Sequence, residues 1–462
     1  MKNLFTEESI IKGQEAIESR FARMCEYGIK PGLLGINALL RYLGDPHKGM
    51  RVVHVAGTNG KGSVCAMLDS CLREAGFRTG LYTSPHMARY NERIRVDGRL
   101  ISDDELLGLF DEIEAIMPDV VAFLGKKPTF FEVETAAAFM WFKRCNADIV
   151  VLETGMGGRY DSTNVIDDPL LTIITSISMD HERYFGSDIA HIAMEKAGII
   201  KKGSMLVTSC DNEKAFGIIK GEYESIQDNP ACPPLINIWH ACEWEAKSFG
   251  AKGQEVSVRT LTGYYDKLFL PLSGQYQCSN LACVVAGWEY LRTKLEGADA
   301  DKLTDEALRN GLAKVFWPCR LELVQENPTV VIDGSHNPDG IRKSAEWLAG
   351  VRDAYDNVIL LMGMVDDKDR LSAAAELDGM ASKLVITKPL STRSVRWEEM
   401  AKGFKLIKED QISFIEDCHQ ALRAAIDMAG AKDLVFCTGS LYLVGELRKN
   451  WDGLFDDIGG NE

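Results

Sequence analysis

The stretch Arg51–Ser63, RVVHVAGTNGKGS, decides how the rest of the chain is read. Its first six residues, Arg51–Ala56, form a short apolar run, the pattern of a strand buried on both faces. Glycines follow at 57, 60 and 62, and a helical period then begins, with Val64, Met67, Leu68, Cys71 and Leu72 on one face and Gly76 closing it. A strand, a glycine loop and a helix in this order make a phosphate site. Glycines let backbone N–H groups close around phosphate oxygens, and the helix N-terminus adds a favourable field. On this reading Gly57, Thr58, Asn59, Gly60 and Gly62 line the nucleotide, Lys61 reaches the β- and γ-phosphates, and Ser63 offers a hydroxyl to Mg²⁺. The spacing departs from G-x-x-x-x-G-K-[ST], because Gly62 stands between Lys61 and Ser63. The bland alternative is a glycine turn that merely joins strand to helix.

Outward from this loop, short apolar runs alternate with helical stretches, which predicts an α/β fold with a mainly parallel sheet. Asp148–Leu152 (DIVVL) and Leu170–Ile177 (LLTIITSI) read as buried strands, with a helix over Phe131–Phe142 between them. From about Met205 to Leu272 the pattern changes, and VSVRTLTGYYDKLFLPL suggests antiparallel hairpins beside the main sheet. A helix near Ser279–Leu291 and a charged surface stretch, Lys294–Asp305, come next. The α/β rhythm restarts at Thr329–Ile332 and continues with strands at Asn357–Met362, Lys383–Thr387 and Asp433–Cys437. The division falls at Phe316–Leu321, where Pro318 interrupts a helix end, giving units 1–316 and 317–462.

The 462 residues carry 52 Lys+Arg against 68 Asp+Glu, a net charge of −16. That balance argues against a nucleic-acid partner, which needs a basic stripe, but it leaves room for small anionic ligands met by local charge. Hydrophobic residues at 46% supply material for real cores. The twelve cysteines contain no C-x-x-C pair, as expected of a reducing cytosol, so the expected location is cytoplasmic. The first residues show no signal core, and no run of about 18 uncharged apolar residues suggests a membrane span.

Further candidate groups sit at strand ends, where open α/β sheets gather ligands. Glu153 ends DIVVL and fits the metal-binding acid that a phosphate loop needs; capping of an exposed strand end is the alternative. Asp180-His181 follows LLTIITSIS, and a structural histidine is as good a reading there as a ligand. Gly157–Asn164 (GGRYDSTN) offers a cation, an acid and an amide, or only a polar turn. In the second half, Asp333–Pro338 (DGSHNP) places an acid and a histidine after another strand, although such a string alone is most often a turn. Two sets of strand ends would make a cleft between units.

Taken together, these strings resemble the folylpolyglutamate synthase/dihydrofolate synthase family within the ATP-dependent Mur ligases. The resemblance runs through LLRYLGDP (39–46), GTNGKGS, TSPHMARYNERIR (83–95), TFFEVETAAA (129–138), ETGMGGRYDSTN (153–164), TSISMDH (175–181) and EKAGII (195–200). It continues through LPLSGQYQCSN (270–280), WPCRLE (317–322), DGSHNPDG (333–340), GMVDDKD (363–369) and TGSLYLVGE (438–446). It implies a P-loop Mur-ligase-type ATPase domain with a small antiparallel region, plus a smaller Rossmann-like C-terminal domain. The implied enzyme is an amide ligase: ATP phosphorylates a folate carboxylate, and L-glutamate attacks the acyl phosphate.

By the same resemblance Ser84, Glu153 and His181 would carry Mg²⁺ with Ser63 beside the phosphates, and two metal sites are expected. Lys196 of EKAGI matches a lysine that the family carbamylates; without the resemblance it reads as an ordinary solvated helix lysine. Lys61, Lys196 and His181 are the implied catalytic set. Asn280, Arg320, Asp333 and His336 match nucleotide contacts, and Asp161 a pterin-associated position. Ser440 and Tyr442 would lie near the incoming glutamate, or pack at the start of a last helix. The family usually has alanine where this chain has Ser335, and Cys210–Gln254 matches no string.

The implied partners are ATP, L-glutamate and dihydropteroate or a reduced folate, with a monomer expected. One alternative is a ligase acting on UDP-muramyl peptides, but only about 50 residues precede the loop, where such enzymes carry a UDP domain. Another is a nucleotide switch, which would want an N-K-x-D string and would not explain the second-half motifs. His86 and the Asp161 region favour members that have both synthase activities.

Overall fold

A computed structural model describes residues 7–25, 28, 32–179, 186, 188–227, 233–366 and 368–451. Strands β1 to β8 cover Val52–Ala56, Thr79–Tyr82, Ile94–Val96, Arg99–Leu100, Ile149–Glu153, Leu171–Ile174, Met205–Thr208 and Leu235–Asn237. They form one sheet in the order β4-β3-β2-β5-β1-β6-β7-β8. From β2 through β8 every pair is parallel, while β3 and β4 add an antiparallel edge. β1 and β5 lie at its centre and are buried along their whole lengths. Their side chains alternate between two cores, as the strand period of two requires. Val53, Val55, Ile149 and Val151 face the helices Lys61–Glu74 and Tyr276–Lys294. Val52, Val150 and Leu152 face the layer that includes Asp103–Leu124 and Phe130–Arg144.

Strands β9 to β11, Glu243–Ser248, Gln254–Arg259 and Tyr264–Leu270, form a separate antiparallel sheet. Its inner face, through Val256, Val258, Leu268 and Leu270, closes the first core. The antiparallel region therefore begins at Glu243 rather than near Met205. MLVT and LIN, at 205–208 and 235–237, instead extend the parallel sheet.

Strands β12 to β17 cover Glu322–Glu326, Thr329–Ile332, Val358–Met362, Lys383–Thr387, Ile412–Ile415 and Leu434–Thr438. They make a third sheet, in the order β12-β13-β17-β14-β15-β16, parallel except for β12. The helix Asp305–Ala313 ends before Pro318, so the proline lies in the connecting segment rather than at a helix end. Cys319 and Leu321 in that segment have φ of 56° and 48°, left-handed values that non-glycine residues rarely adopt. Among the described residues no helix is long and apolar enough to cross a membrane, and the eleven described cysteines are free.

Candidate active site

The phosphate loop leaves the carboxyl end of β1 and enters the helix Lys61–Glu74 through Gly60, whose φ is 93°. A side chain at Gly60 would meet the Asn280 amide oxygen at 2.4 Å, and one at Gly57 would meet the Thr175 hydroxyl at 1.7 Å. Gly62, the extra residue in the loop, lies against Trp317: a Cβ there would sit 2.7 Å from the indole ring. Position 62 thus has no room for a side chain. The loop is further held by Thr58 N–H donating to the Ser176 carbonyl at 2.8 Å and Thr58 Oγ1 donating to the Ser178 carbonyl at 3.1 Å.

Lys61 Nζ folds back onto the Gly57 and Thr58 carbonyls, at 3.0 and 3.1 Å. Ser63 is buried and its hydroxyl accepts from Gln277 Nε2, whose amide oxygen in turn accepts from Asn280 Nδ2 at 2.8 Å. Gln277 is a site residue that sequence reasoning missed; nothing local separates it from other helix glutamines.

Lys196 lies in the last turn of the helix Ile189–Ala197, only 4% exposed, and donates to the Gly57 carbonyl at 2.6 Å. It is no solvated-face lysine. The approach is possible because Gly158 has no side chain: a Cβ there would press on the backbone of Glu195 and Lys196 at 2.6–3.0 Å.

Glu153, at the end of β5, is 3% exposed and accepts from the Ser84 N–H at 3.0 Å. Burial pushes its carboxyl up to about 7, against the opposing pull of Lys61, the Ser84 N–H, Arg320 and Arg93. A buried carboxylate still short of positive charge is chemically suited to a hard cation, with the Ser63 hydroxyl and Ser84 as further oxygen donors. The residues present therefore fit Mg²⁺. Among the described residues no three His, Cys, Asp or Glu side chains converge on a metal position. Asp180 and His181 lie outside the described residues.

Two predicted acids are buried in hydrogen bonds to their own surroundings. The Asp161 carboxylate is buried and accepts from the N–H groups of Met156 and Thr163 and from the Thr163 hydroxyl, at 2.6–3.0 Å. It pins its own loop, and Thr163 in turn meets the buried His54 ring at 2.9 Å. Asp333 is fully buried and accepts from Leu321 N–H, Ser335 N–H and the Ser344 hydroxyl. It fixes the segment that carries Arg320, whose guanidinium lies against Gly334, 2.4 Å from where a Cβ would stand. The Ser335 hydroxyl also pairs with Ser344, at 2.8 Å. His336 holds the Gly334 carbonyl at 2.9 Å.

Ser440 caps the helix Leu441–Arg448, its hydroxyl accepting from Tyr442 N–H, and is 1% exposed. Tyr442 is half-exposed, with its hydroxyl accepting from Arg393 at 2.9 Å and the guanidinium 5.4 Å from its ring centre. His86 accepts from Arg93 Nε at 2.8 Å, and Arg93 also pairs with the buried Glu134 at 2.7 Å. Gly445 of the last helix packs on the Met87 backbone, so the loop after β2 touches the C-terminal unit. The carboxyl ends of the two large sheets thus line one cleft.

Comparison with known proteins agrees with this geometry. Residues 55–287 match the Mur ligase middle domain, and residues 319–441 match the Mur ligase glutamate ligase domain. The chain is 36% identical over 425 residues to the dihydrofolate synthase/folylpolyglutamate synthase of Bacillus subtilis, covering 92% of this chain and 96% of the relative. It is 31% identical to the folylpolyglutamate synthase of Lacticaseibacillus casei, covering 93% and 96%. Mycobacterium tuberculosis folylpolyglutamate synthase complexed with ADP and AMPPCP superposes at a TM-score of 0.85 and 30% identity, covering 96% of this chain and 99% of that one. Escherichia coli FolC in complex with DHPP and ADP gives 0.80 at 27% identity, covering 95% and 97%. This likeness extends through both large sheets and the loops between them, and the chain belongs to the dihydrofolate synthase/folylpolyglutamate synthase family of Mur ligases.

Proposed function

We propose that this chain is an ATP-dependent ligase that adds L-glutamate to folates, acting on dihydropteroate and on reduced folates alike. The observation that carries the reading is the phosphate loop facing the second unit's strand ends, in a chain 36% identical to a relative that bears both synthase names. The division between units is placed at 316/317, supported by the change of sheet between Leu270 and Glu322.

The loop N–H groups and Lys61 hold the triphosphate and offset its charge as the folate carboxylate approaches. The carboxylate takes the γ-phosphoryl group and ADP remains. The glutamate amine then attacks the acyl carbon, and the tetrahedral species expels phosphate to leave the amide. Packing of the two units around this point keeps water from the acyl phosphate. Arg320, braced by Asp333, and His336 reach the nucleotide from the C-terminal unit. Ser440 and Tyr442 lie at the glutamate side, and Asp161 shapes the pterin side by pinning its loop.

Glu153, Ser63, Ser84 and His181 would hold Mg²⁺, which when bound supplies the positive charge that lets two anions meet. Lys196 is the carbamylated residue: its neutral amine adds to CO₂, an N–C bond forms, a proton leaves, and a cation becomes an anion able to face a second Mg²⁺. Its burial against the phosphate loop, 2.6 Å from the Gly57 carbonyl, supports this by placing the amine beside the nucleotide site. The protein is proposed to work as a cytoplasmic monomer.

The test incubates purified protein with ATP, Mg²⁺ and glutamate, offering dihydropteroate or tetrahydrofolate separately, and follows ADP release. Release should require glutamate and occur with each folate. Turnover with neither would overturn the assignment.

A further inference from the structure

Asn59 of the phosphate loop is held from both sides of the cleft. Its carbonyl accepts from the hydroxyls of Thr175 and Ser176, at 2.8 and 3.1 Å, within the N-terminal unit. Its side chain faces the other way. Asn59 Nδ2 donates to Asp339 Oδ2 at 2.8 Å, across 280 residues of sequence, and Asn337 Nδ2 donates to Asn59 Oδ1 at 3.2 Å. Asp339 stands in the first turn of the helix Pro338–Val351, which Asn337 caps. The same Oδ2 accepts from the Ser178 hydroxyl at 3.4 Å, again from the N-terminal unit.

A carboxylate aimed at a triphosphate loop is electrostatically adverse unless it is neutralised. Here Arg342 neutralises it at Oδ1, at 2.6 Å, and Lys343 at 3.0 Å on Oδ2, the oxygen that also meets Asn59. Asp339 also supports its own helix, as a first-turn acid with partners three and four residues on, but neither role requires the contact with Asn59. That contact gives the second unit a grip on the loop.

We propose that Asp339 is a positioning residue for phosphoryl transfer: reaching across the cleft, it fixes Asn59 so that the phosphate loop takes its nucleotide-ready shape only while the two units are docked. By linkage, bound nucleotide strengthens the docking by the factor that docking strengthens nucleotide binding. The inference rests on the reading of the loop as the ATP site.

ADP titration by calorimetry tests it without folate or glutamate, alongside the steady-state KM for ATP. Asp339→Ala should weaken ADP binding and raise the ATP KM by about tenfold, the loss expected for a charged hydrogen bond. The glutamate KM should stay unchanged, so that the loss falls on the nucleotide. Asn59→Ala should act similarly, and the double variant should be no worse than the stronger single one. Lys343→Ala keeps the Asn59 contact and leaves Arg342 on the carboxylate, so it should weaken ADP binding by clearly less than Asp339→Ala. Asp339→Ser keeps a polar first-turn residue but is too short to span the gap; it repeats the test if the alanine variant fails to fold. Unchanged ADP affinity in a folded Asp339 variant, or effects that multiply in the double variant, overturns the inference alone. A wild-type protein that binds no ADP instead overturns the reading of the loop.

Discussion

Glu153 is the residue whose environment makes the sharpest demand. In the unfolded chain its carboxyl titrates at its ordinary value of 4.5, and burial in the fold lifts it to about 7. Between those values the folded protein holds a proton the unfolded chain has lost. The contribution of Glu153 to metal-free stability is therefore fully present below about 4.5, is lost as pH rises through the window, and is gone above about 7. Glu153→Gln removes this slope. At pH 8 the metal-free variant should be more stable than wild type by on the order of 2–3 kcal/mol, while ligase activity is lost. Urea melts across the pH range check this, and parallel slopes in both proteins would count against it.

Lys196 makes the second residue-scale prediction. Lys196→Ala should lose activity by on the order of a hundredfold, and wild type stripped of CO₂ should recover turnover when bicarbonate is returned. Wild-type rates in the alanine variant would exclude the carbamate role. Sequence pattern by itself reads this lysine as surface, because helix period gives no sign of a partner lying 139 residues earlier.

At the scale of elements, strand β1, the glycine loop and the helix after it were legible because each is encoded locally, by period and by glycine placement. β12 and β16 were not. Both are partly exposed edge strands, and ELVQE carries too little apolar patterning to stand out. The extra Gly62 was legible as a departure but not as a reason. Trp317 accounts for the glycine there, wedged on Gly62 with the Arg95 guanidinium 5.5 Å from its ring centre. Gly62→Ala should cost about 1–3 kcal/mol through overpacking and raise the ATP KM. Shrinking the ring in Gly62→Ala/Trp317→Leu should recover part of the ATP affinity. Thermal melts and ATP kinetics on the single and double variants decide it, and a double variant no better than the single one would show that the indole is not the obstacle.

For the whole molecule, the net charge of −16 is background to a site where Lys61, Arg320 and Arg93 act on the buried Glu153 at a strand end. The sequence by itself determined the α/β class, the phosphate loop, the strand-end acid Glu153 and the family resemblance. These are local strings and periods, written in contiguous residues. Only the tertiary structure decided that Lys196 is buried on Gly57, that Asp161 and Asp333 brace loops, and that Asp339 grips Asn59. Each of those outcomes depends on packing between residues tens to hundreds apart, or on which of several nearby donors a carboxylate meets once water is excluded. Burial turns such a choice into a single arrangement, because an unpaired buried charge or polar group is too costly to leave.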